Sequence, residues 1–218
     1  DYLETDPSEL LEGPKIGFKI PEVLTVEEID RIISAVDMDK KEGQRNRAIL
    51  ETLYSCGLRV SELCNLKLSD LYFEEGFIKV EGKGSKQRLV PISPRAIKEI
   101  KYWLTDRNLG KIKKGYEDYV FLARWGNNIS RIMVFHMIKE LAEKTGITKN
   151  ISPHTFRHSF ATHLLEGGAN LRAIQCMLGH ESIATTEIYT HIDRNMLRSE
   201  IIEHHPRNIK YRKERGIY

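Results

Sequence analysis

Apolar side chains recur at the spacing of an α-helix along most of the chain after residue 24. Thr25 and Glu28 have the spacing of a capping box, which marks a helix start. The same periodicity predicts helices over about 25–36, 44–55, from near 58, from Ser93-Pro94 onward, and over about 130–144, 153–166, 171–178, 183–191 and 194–203. Residues 1–24 lack this period and contain several prolines and glycines, so they are predicted to be a linker.

The pattern changes to an alternation of two at residue 77. The stretch "FIKVEGKGSKQRLVPI" has two strand-like runs on either side of Gly82-Lys83-Gly84-Ser85, which predicts a β-hairpin with a tight turn. "YVFLA", residues 119–123, indicates one more short strand. Strands and helices do not alternate, which excludes a doubly wound sheet, and there is no P-loop or dinucleotide fingerprint. The predicted fold class is mainly α with a small β-hairpin or sheet (α+β).

Composition is that of a globular protein. The 218 residues are 40% hydrophobic and carry a net charge of +3, and no apolar run is long enough for a membrane span. The three cysteines form no CxxC pair, which favours reduced thiols and a cytoplasmic location. The first twelve residues are acidic, whereas residues 204–218 are predicted to be a basic C-terminal tail, a composition that suits a polyanion or simply a solvated surface.

Candidate chemistry is concentrated after residue 152. In "SPHTFRHSFATHLLEGG", Ser152-Pro153 opens a helix, and His154 and Arg157 share one face near its start. Free backbone N–H groups and the helix dipole favour an anion there. His180 follows directly after a helix that Gly179 closes, and Tyr189 comes nine residues later. Each of these residues alone is explained as well by packing, a dipole contact or a salt bridge.

Six positions taken together form a more specific pattern. They are Arg59 in "GLRVSEL", Lys83 in "EGKGSKQRLVPI", His154 and Arg157 in "HTFRH", His180 in "LGH" and Tyr189 in "EIYTHI". In order and local context they resemble the full active-site set of the tyrosine recombinases, and the surrounding segments, from about 20 to 203, most resemble the bacterial Xer branch. The resemblance implies a site-specific recombinase that cleaves and rejoins DNA through a 3′-phosphotyrosyl intermediate, in chromosome dimer resolution or in mobile-element integration and excision.

The residue types suit that reaction. Arg59 and Arg157 can each offer paired donors to the nonbridging oxygens of a phosphodiester, which a lysine cannot do as a planar fork. A tyrosine phenol, with a reference pKa of about 10, needs cations and a proton acceptor nearby to act as a nucleophile. By resemblance, Tyr189 attacks, His154 is the acid/base partner, His180 donates to a nonbridging oxygen, and Lys83 is the general acid for the departing 5′ oxygen. No cofactor and no metal are implied.

Four further residues are candidates for supporting roles. Glu62, three residues after Arg59, could orient that arginine, and His158, four after His154, could buttress the site or simply pack. Lys86 and Arg88, on the return strand of the hairpin, would suit the DNA backbone or form a solvated face.

The resemblance also implies a domain plan and partners. Residues 1–24 would be an interdomain linker remnant, 25–203 the catalytic domain and 204–218 the basic tail, with the N-terminal core-binding domain absent from this chain. The expected partners are double-stranded DNA, a homo- or hetero-tetramer on that DNA, and a possible DNA translocase, with no membrane. "DRNMLRSEIIEHHP" reads as an amphipathic helix, which in relatives packs on a neighbouring protomer and here could instead fold back.

Three competing hypotheses stay open at this point. Five histidines between 154 and 191 suggest a metal site, but "HTFRH" has an arginine where the zinc-peptidase signature has glutamate. Type IB topoisomerases use a similar residue set to nick and reseal one duplex. A DNA-binding module with an inert site is the third, and the role of Tyr189 discriminates it.

Overall fold

The fold is mainly helical with one small sheet, as predicted. The computed structural model describes residues 22–179 and 194–214, leaving aside the side chain of Lys83. The helices within these ranges are α1 Val26–Ser34, α2 Gly43–Cys56, α3 Val60–Cys64, α4 Pro94–Leu109, α5 Arg131–Lys144, α6 Pro153–Glu166, α7 Leu171–Leu178, α8 Arg194–His204 and α9 Pro206–Glu214. Among the described helices, none is both long and apolar enough to cross a membrane. The helix predicted over 183–191 and the first 21 residues of the predicted linker lie outside the described residues.

The sheet contains the predicted hairpin and one extra strand. β1 Leu71–Tyr72, β2 Phe77–Glu81 and β3 Gln87–Pro91 pair antiparallel in the order β1-β2-β3. The hairpin register runs from Phe77 opposite Pro91 to Glu81 opposite Gln87. Its turn is closed by the Gly82 N–H, which donates to the carbonyl of Lys86 over 2.8 Å.

The prediction of a strand at "YVFLA" was wrong. Residues 119–123 make only isolated bridges, Lys67 with Tyr119 and Leu122 with Asn128. Side chains of α4 donate hydrogen bonds to carbonyls that would otherwise pair in a β-sheet. Trp103 Nε1 donates to the carbonyl of Val120 over 2.8 Å, and Arg107 Nε donates to that of Tyr119 over 2.9 Å. The apolar run is therefore explained by burial in the core and not by strand pairing.

Helix α2 is the centre of the core and ends at the candidate site. Nearly all its residues are buried, and it packs against α4 and α6. Gly57 ends it with φ 58°, in the left-handed region that favours glycine. A Cβ at Gly57 would lie 2.3 Å from the Phe160 ring of α6, so only glycine allows the two helices this approach. The close approach fixes the carbonyl of Gly57 beside α6.

The C-terminal segment, predicted as a basic tail over 204–218, is helical over most of its described part. Pro206–Glu214 forms α9, whose Arg207 is 1% exposed over the Tyr54 ring. Its guanidinium pairs with Asp30 of α1, and its Nε lies 3.1 Å from Glu51 Oε2 of α2. A buried arginine with two carboxylate partners is a structural anchor, so the positive charge of this segment is not all at the surface.

The residue that joins α8 to α9 is a fully buried histidine. His205 accepts a hydrogen bond at Nδ1 from the Arg207 N–H over 3.2 Å, which leaves Nε2 as the donor to the carbonyl of Tyr54 over 3.3 Å. The contact at Nδ1 requires the neutral ring, because a protonated Nδ1 cannot accept a hydrogen bond. Burial, with the Arg207 cation adding to it, lowers the pKa of His205 to about 3.

We expect loss of Arg207 to destabilise the fold. Arg207→Met leaves Glu51, which is 0% exposed, without this cation, and removing one partner of a buried pair costs about 3–5 kcal/mol. Urea unfolding followed by circular dichroism measures the change. Lys210→Ala is the matched control, because Lys210 is half exposed and pairs with the same Asp30; its cost should stay below about 1 kcal/mol. Equal costs for the two variants would contradict the anchor.

The neutral His205 should also make stability depend on pH. The unfolded chain binds this proton near pH 6.5 and the folded chain only near pH 3, so the stabilisation is complete above pH ~6.5 and is lost as pH falls. From pH 7 to pH 5 the free energy of unfolding should fall with a slope that approaches about 1.4 kcal/mol per pH unit from this group.

His205→Gln should remove this part of the slope in urea titrations at each pH. His136→Gln, at an exposed position of α5, should keep it. Parallel profiles for wild type and His205→Gln would show that His205 does not titrate on unfolding.

Candidate active site

A buried carboxylate organises the residues that the sequence singled out. Arg59 caps α3, and Glu62 lies one turn into that short helix, 4% exposed. The Arg59 backbone N–H donates to Glu62 Oε2 over 2.8 Å, and Arg59 Nη1 donates to Oε1 over 2.9 Å. The helix start thus holds both residues together, in the arrangement expected if Glu62 orients Arg59.

Arg88 reaches the same carboxylate from β3. Its Nη1 donates to Glu62 Oε1 over 2.7 Å and its Nη2 to Oε2 over 2.9 Å, a bidentate pair, while its Nε donates to the carbonyl of Met177 over 2.7 Å. The side chain is 7% exposed. The expected contact of Arg88 with the DNA backbone is therefore corrected: the planar fork matches the buried carboxylate and faces inward.

Three arginines converge on the C-terminal end of α7. Its last carbonyls have no partner within the helix and carry the negative end of the dipole. Arg88 donates to the carbonyl of Met177. Arg157 Nη2 donates to the carbonyl of Leu178 over 2.6 Å, and Arg59 Nη2 donates to that of Gly179 over 3.2 Å. A Cβ at Gly179 would lie 3.2 Å from three atoms of Arg88, so glycine gives the arginine room.

Arg157 is held by two elements besides its own. Its Nη1 donates to the carbonyl of Gly57 over 2.7 Å and lies 4.0 Å from Glu62 Oε2. Burial, reinforced by the cations of Arg59 and Arg88 and opposed by Glu62, lowers the pKa of Arg157 to about 10. It remains a cation at neutral pH, with its guanidinium fixed by carbonyls of α2 and α7.

The cluster as a whole is cationic. Burial acts to raise the pKa of Glu62, but hydrogen bonds and charge from Arg88 and Arg59 outweigh it and hold the pKa below its usual value. Three arginines and one ionised carboxylate leave two positive charges among these four side chains. Arg59 is the open member, with 36% of its side chain exposed, whereas Arg157 is 11% exposed. An anion would therefore enter from the side of Arg59.

The two predicted histidines of α6 are neighbours of Arg157 in the sequence, but they lie at the surface. His154 and His158 are both exposed, while the stripe of Phe156, Phe160 and Leu164 is fully buried. The helix thus separates its packing face from the face that carries His154. The acid/base role of His154 and the buttressing role of His158 stay predictions. In the described part of the chain, no group of three or more His, Cys, Asp and Glu side chains is placed to hold a metal.

The other predicted residues are described in part or not at all. Lys83 lies at the hairpin tip, where only its backbone is described, and Lys86 is exposed just before β3. His180 and Tyr189 lie outside the described residues. Gly179, whose carbonyl Arg59 holds, is directly followed by His180 in the sequence.

The inward position of Arg88 was missed, although the sequence carries a signal for it. Successive side chains of a strand point to opposite faces, so Arg88 shares a face with Val90. Val90 is fully buried, and Arg88 pairs in register with Val80, which is 2% exposed. An arginine on the apolar face of a strand requires a buried anion, and Glu62 supplies it.

Comparison with known proteins shows the family of this chain. The family model described as "Phage integrase family" matches residues 22–196. Tyrosine recombinase XerD of Staphylococcus saprophyticus is 44% identical over 206 residues, which cover 94% of this chain and 70% of that protein. XerA recombinase is 36% identical with a TM-score of 0.68, over 85% of this chain and 66% of that one.

A DNA complex is also among the structural neighbours. The XerH site-specific recombinase bound to its difH substrate in a pre-cleavage complex is 30% identical with a TM-score of 0.66. The match covers 78% of this chain and half of that one. With the mostly helical fold and its small antiparallel sheet, these likenesses confirm the resemblance seen in the sequence. The chain therefore belongs to the phage integrase family, as a tyrosine recombinase of the Xer type.

Proposed function

We propose that the cluster around Glu62 is the phosphate-binding part of an active site for site-specific recombination. In this proposal Arg59 and Arg157 bind the scissile phosphate of double-stranded DNA, and Tyr189 becomes linked to the 3′ phosphate. The observation that carries it is the pair of fixed guanidiniums beside the end of α7, in a cluster with two net positive charges.

The fixed geometry suits the transition state. A phosphodiester has one negative charge, and attack by an oxygen nucleophile adds charge at the nonbridging oxygens. Arg157 is held by Gly57 and Leu178, and Arg59 by Glu62 and Gly179, so their donors need little reorganisation as that charge develops. A preorganised donor of this kind is typically worth about 3–4 kcal/mol of barrier.

The chemical step exchanges one phosphodiester for another. The Tyr189 oxygen forms a bond to phosphorus, and the bond from phosphorus to the 5′ oxygen breaks. The phenol proton passes to His154, and the departing oxygen takes a proton from Lys83, roles that rest on the family resemblance. Because bond energy is retained in the phosphotyrosyl link, the free 5′ hydroxyl of a partner strand can reverse the step without ATP.

The proposed domain plan includes a longer catalytic unit than the one expected from the sequence. We propose that the catalytic unit of residues 25–203 extends through α9 to residue 214, because α9 is anchored to α1 and α2 through Arg207. The chain spans 70% of the XerD relative and half of the XerH chain, so a further DNA-clamping domain belongs to the proposed complete protein. XerH is bound to DNA, which supports the same substrate class, and hence a cytoplasmic location, for this chain.

The proposal also includes the oligomeric assembly and the cellular process in which the recombinase acts. A homo- or hetero-tetramer on DNA and regulation by a DNA translocase follow from the resemblance. In the described structure α8 and α9 pack on their own chain, with Ile201 buried at 1% exposure. Whether the protein acts in chromosome dimer resolution or in mobile-element integration depends on the target site that it recognises. The named recombinases among the relatives do not favour a topoisomerase role.

Covalent trapping tests the proposal. The chain is incubated with a library of nicked genomic DNA fragments and is then denatured. The DNA that stays bound to the protein is sequenced. Wild type should yield a discrete site linked through Tyr189, confirmed by mass spectrometry of the tyrosyl peptide. Tyr189→Phe should yield no adduct, because phenylalanine lacks the nucleophilic oxygen.

Tyr102→Phe is the matched control, since Tyr102 of α4 is 52% exposed and does not belong to the cluster. It should form as much adduct as wild type. DNA that binds tightly without any adduct would favour the inert module, and adducts that persist in Tyr189→Phe would exclude Tyr189 as the nucleophile.

A further inference from the structure

Every nitrogen of the Arg88 guanidinium donates a hydrogen bond within its own chain. Nη1 and Nη2 meet the two oxygens of Glu62, and Nε meets the carbonyl of Met177, all within 2.9 Å. The side chain is 7% exposed, against 36% for Arg59. Among the three arginines of the cluster, Arg88 is the one least accessible to a phosphate.

The contacts of Arg88 join three separate parts of the fold. It belongs to β3, its fork holds Glu62 of α3, and its Nε holds the last turn of α7. A Cβ at Gly82, at the base of the hairpin turn, would lie 3.5 Å from Arg88 Nη1 and 3.7 Å from Glu62 Oε1. The hairpin that carries Lys83 is thus seated against the cluster through Arg88.

We propose that Arg88 is a positioning residue for strand cleavage, which neutralises Glu62 and fixes the end of α7 so that Arg59 and Arg157 stay available to the scissile phosphate. This role deepens the proposed function and rests on it. Arg88 acts through Glu62 and Met177 and does not itself touch the DNA.

The expected response to losing Arg88 follows from charge and distance. Glu62 is 2% exposed at its side chain, so its carboxylate would need another cation. Arg157 Nη1 is already 4.0 Å from Oε2, and Arg59 Nη1 is bonded to Oε1. Both would be drawn onto Glu62, and the net charge of the four positions would fall from two to one. The freed carbonyl of Met177 would also loosen the segment that leads to His180.

A lysine cannot replace this function. Its ammonium is a single point charge and cannot bond both carboxylate oxygens and a carbonyl in one plane, as the arginine fork does. Arg88→Lys keeps the charge and most of the volume, so it separates the fork from the charge. Arg88→Gln removes the charge and keeps a short polar side chain, and it serves if the first variant alters folding.

The test separates cleavage from DNA binding. The substrate is a nicked duplex of the site recovered by trapping, and the rate of adduct formation is measured in single turnover at saturating protein. DNA affinity is measured with the same duplex at several salt concentrations. Thermal unfolding and circular dichroism confirm that each variant is folded under the assay conditions.

Arg88→Lys should lower the saturated cleavage rate by about 100-fold, the size of effect expected from misplacing reacting groups by about 1 Å. Its DNA affinity and salt dependence should match those of wild type. Arg31→Lys is the matched control, because it makes the same substitution at an exposed arginine of α1 that belongs to no part of the site. It should leave both the saturated rate and the DNA affinity as in wild type.

A double variant tests whether Arg88 acts through Glu62. If it does, Arg88→Lys combined with Glu62→Gln should be no slower than the slower single variant, because both disturb one unit. Additive losses would contradict a shared role. Weaker binding with a lower salt slope and a normal saturated rate in Arg88→Lys would show instead a direct phosphate contact, and so would overturn the proposal.

The wild type distinguishes this inference from the proposed function. If wild type forms adducts and Arg88→Lys forms them equally fast at saturation, the positioning role is wrong and the proposed function stands. If wild type and Tyr189→Phe are equally unable to form adducts, the proposed function fails and the role of Arg88 in cleavage fails with it.

Discussion

The bidentate pair between Arg88 and Glu62 is the interaction on which the candidate site depends. It satisfies a carboxylate that the fold removes from water, and it does so with a cation that is itself removed from water. Such a pair adds little to stability compared with a well-packed apolar pair, because desolvation offsets most of the attraction. Its value is in geometry, since it fixes where the neighbouring guanidiniums can lie.

The rest of the fold brings acceptors to those guanidiniums. Gly57 ends α2 close against Phe160, which places one carbonyl beside Arg157. Gly179 ends α7 close against Arg88, so the last carbonyls of that helix lie within hydrogen-bond distance of all three arginines. Two glycines that allow close approach therefore determine the two sides of the arginine cluster. Within the C-terminal half of α2, Glu51 pairs with Arg207 of α9, which ties α9 to the central helix.

Local signals in the sequence were sufficient for the elements that have strong boundaries. The bounds of α6 follow from Ser152-Pro153 and Gly167, and the hairpin follows from its glycine turn, because capping and turn chemistry act within a few residues. The pairing of Arg59 with Glu62 is of the same local kind. Predictions that depended on distant partners were less successful. "YVFLA" has strand-like residues, but side chains of α4 bond its carbonyls. Arg88 lies on the apolar face of its strand, but the partners that it bonds there come from α3 and α7, which are distant in the sequence.

The assignment of Arg59 and Arg157 as phosphate ligands is tested most directly by the structure of the chain bound to duplex DNA of its trapped site. The scissile phosphate should lie within hydrogen-bond distance of both guanidiniums, with Arg88 still paired to Glu62 in the arrangement described above. A phosphate bound elsewhere, or an Arg88 that has left Glu62 to bind it, would contradict this assignment.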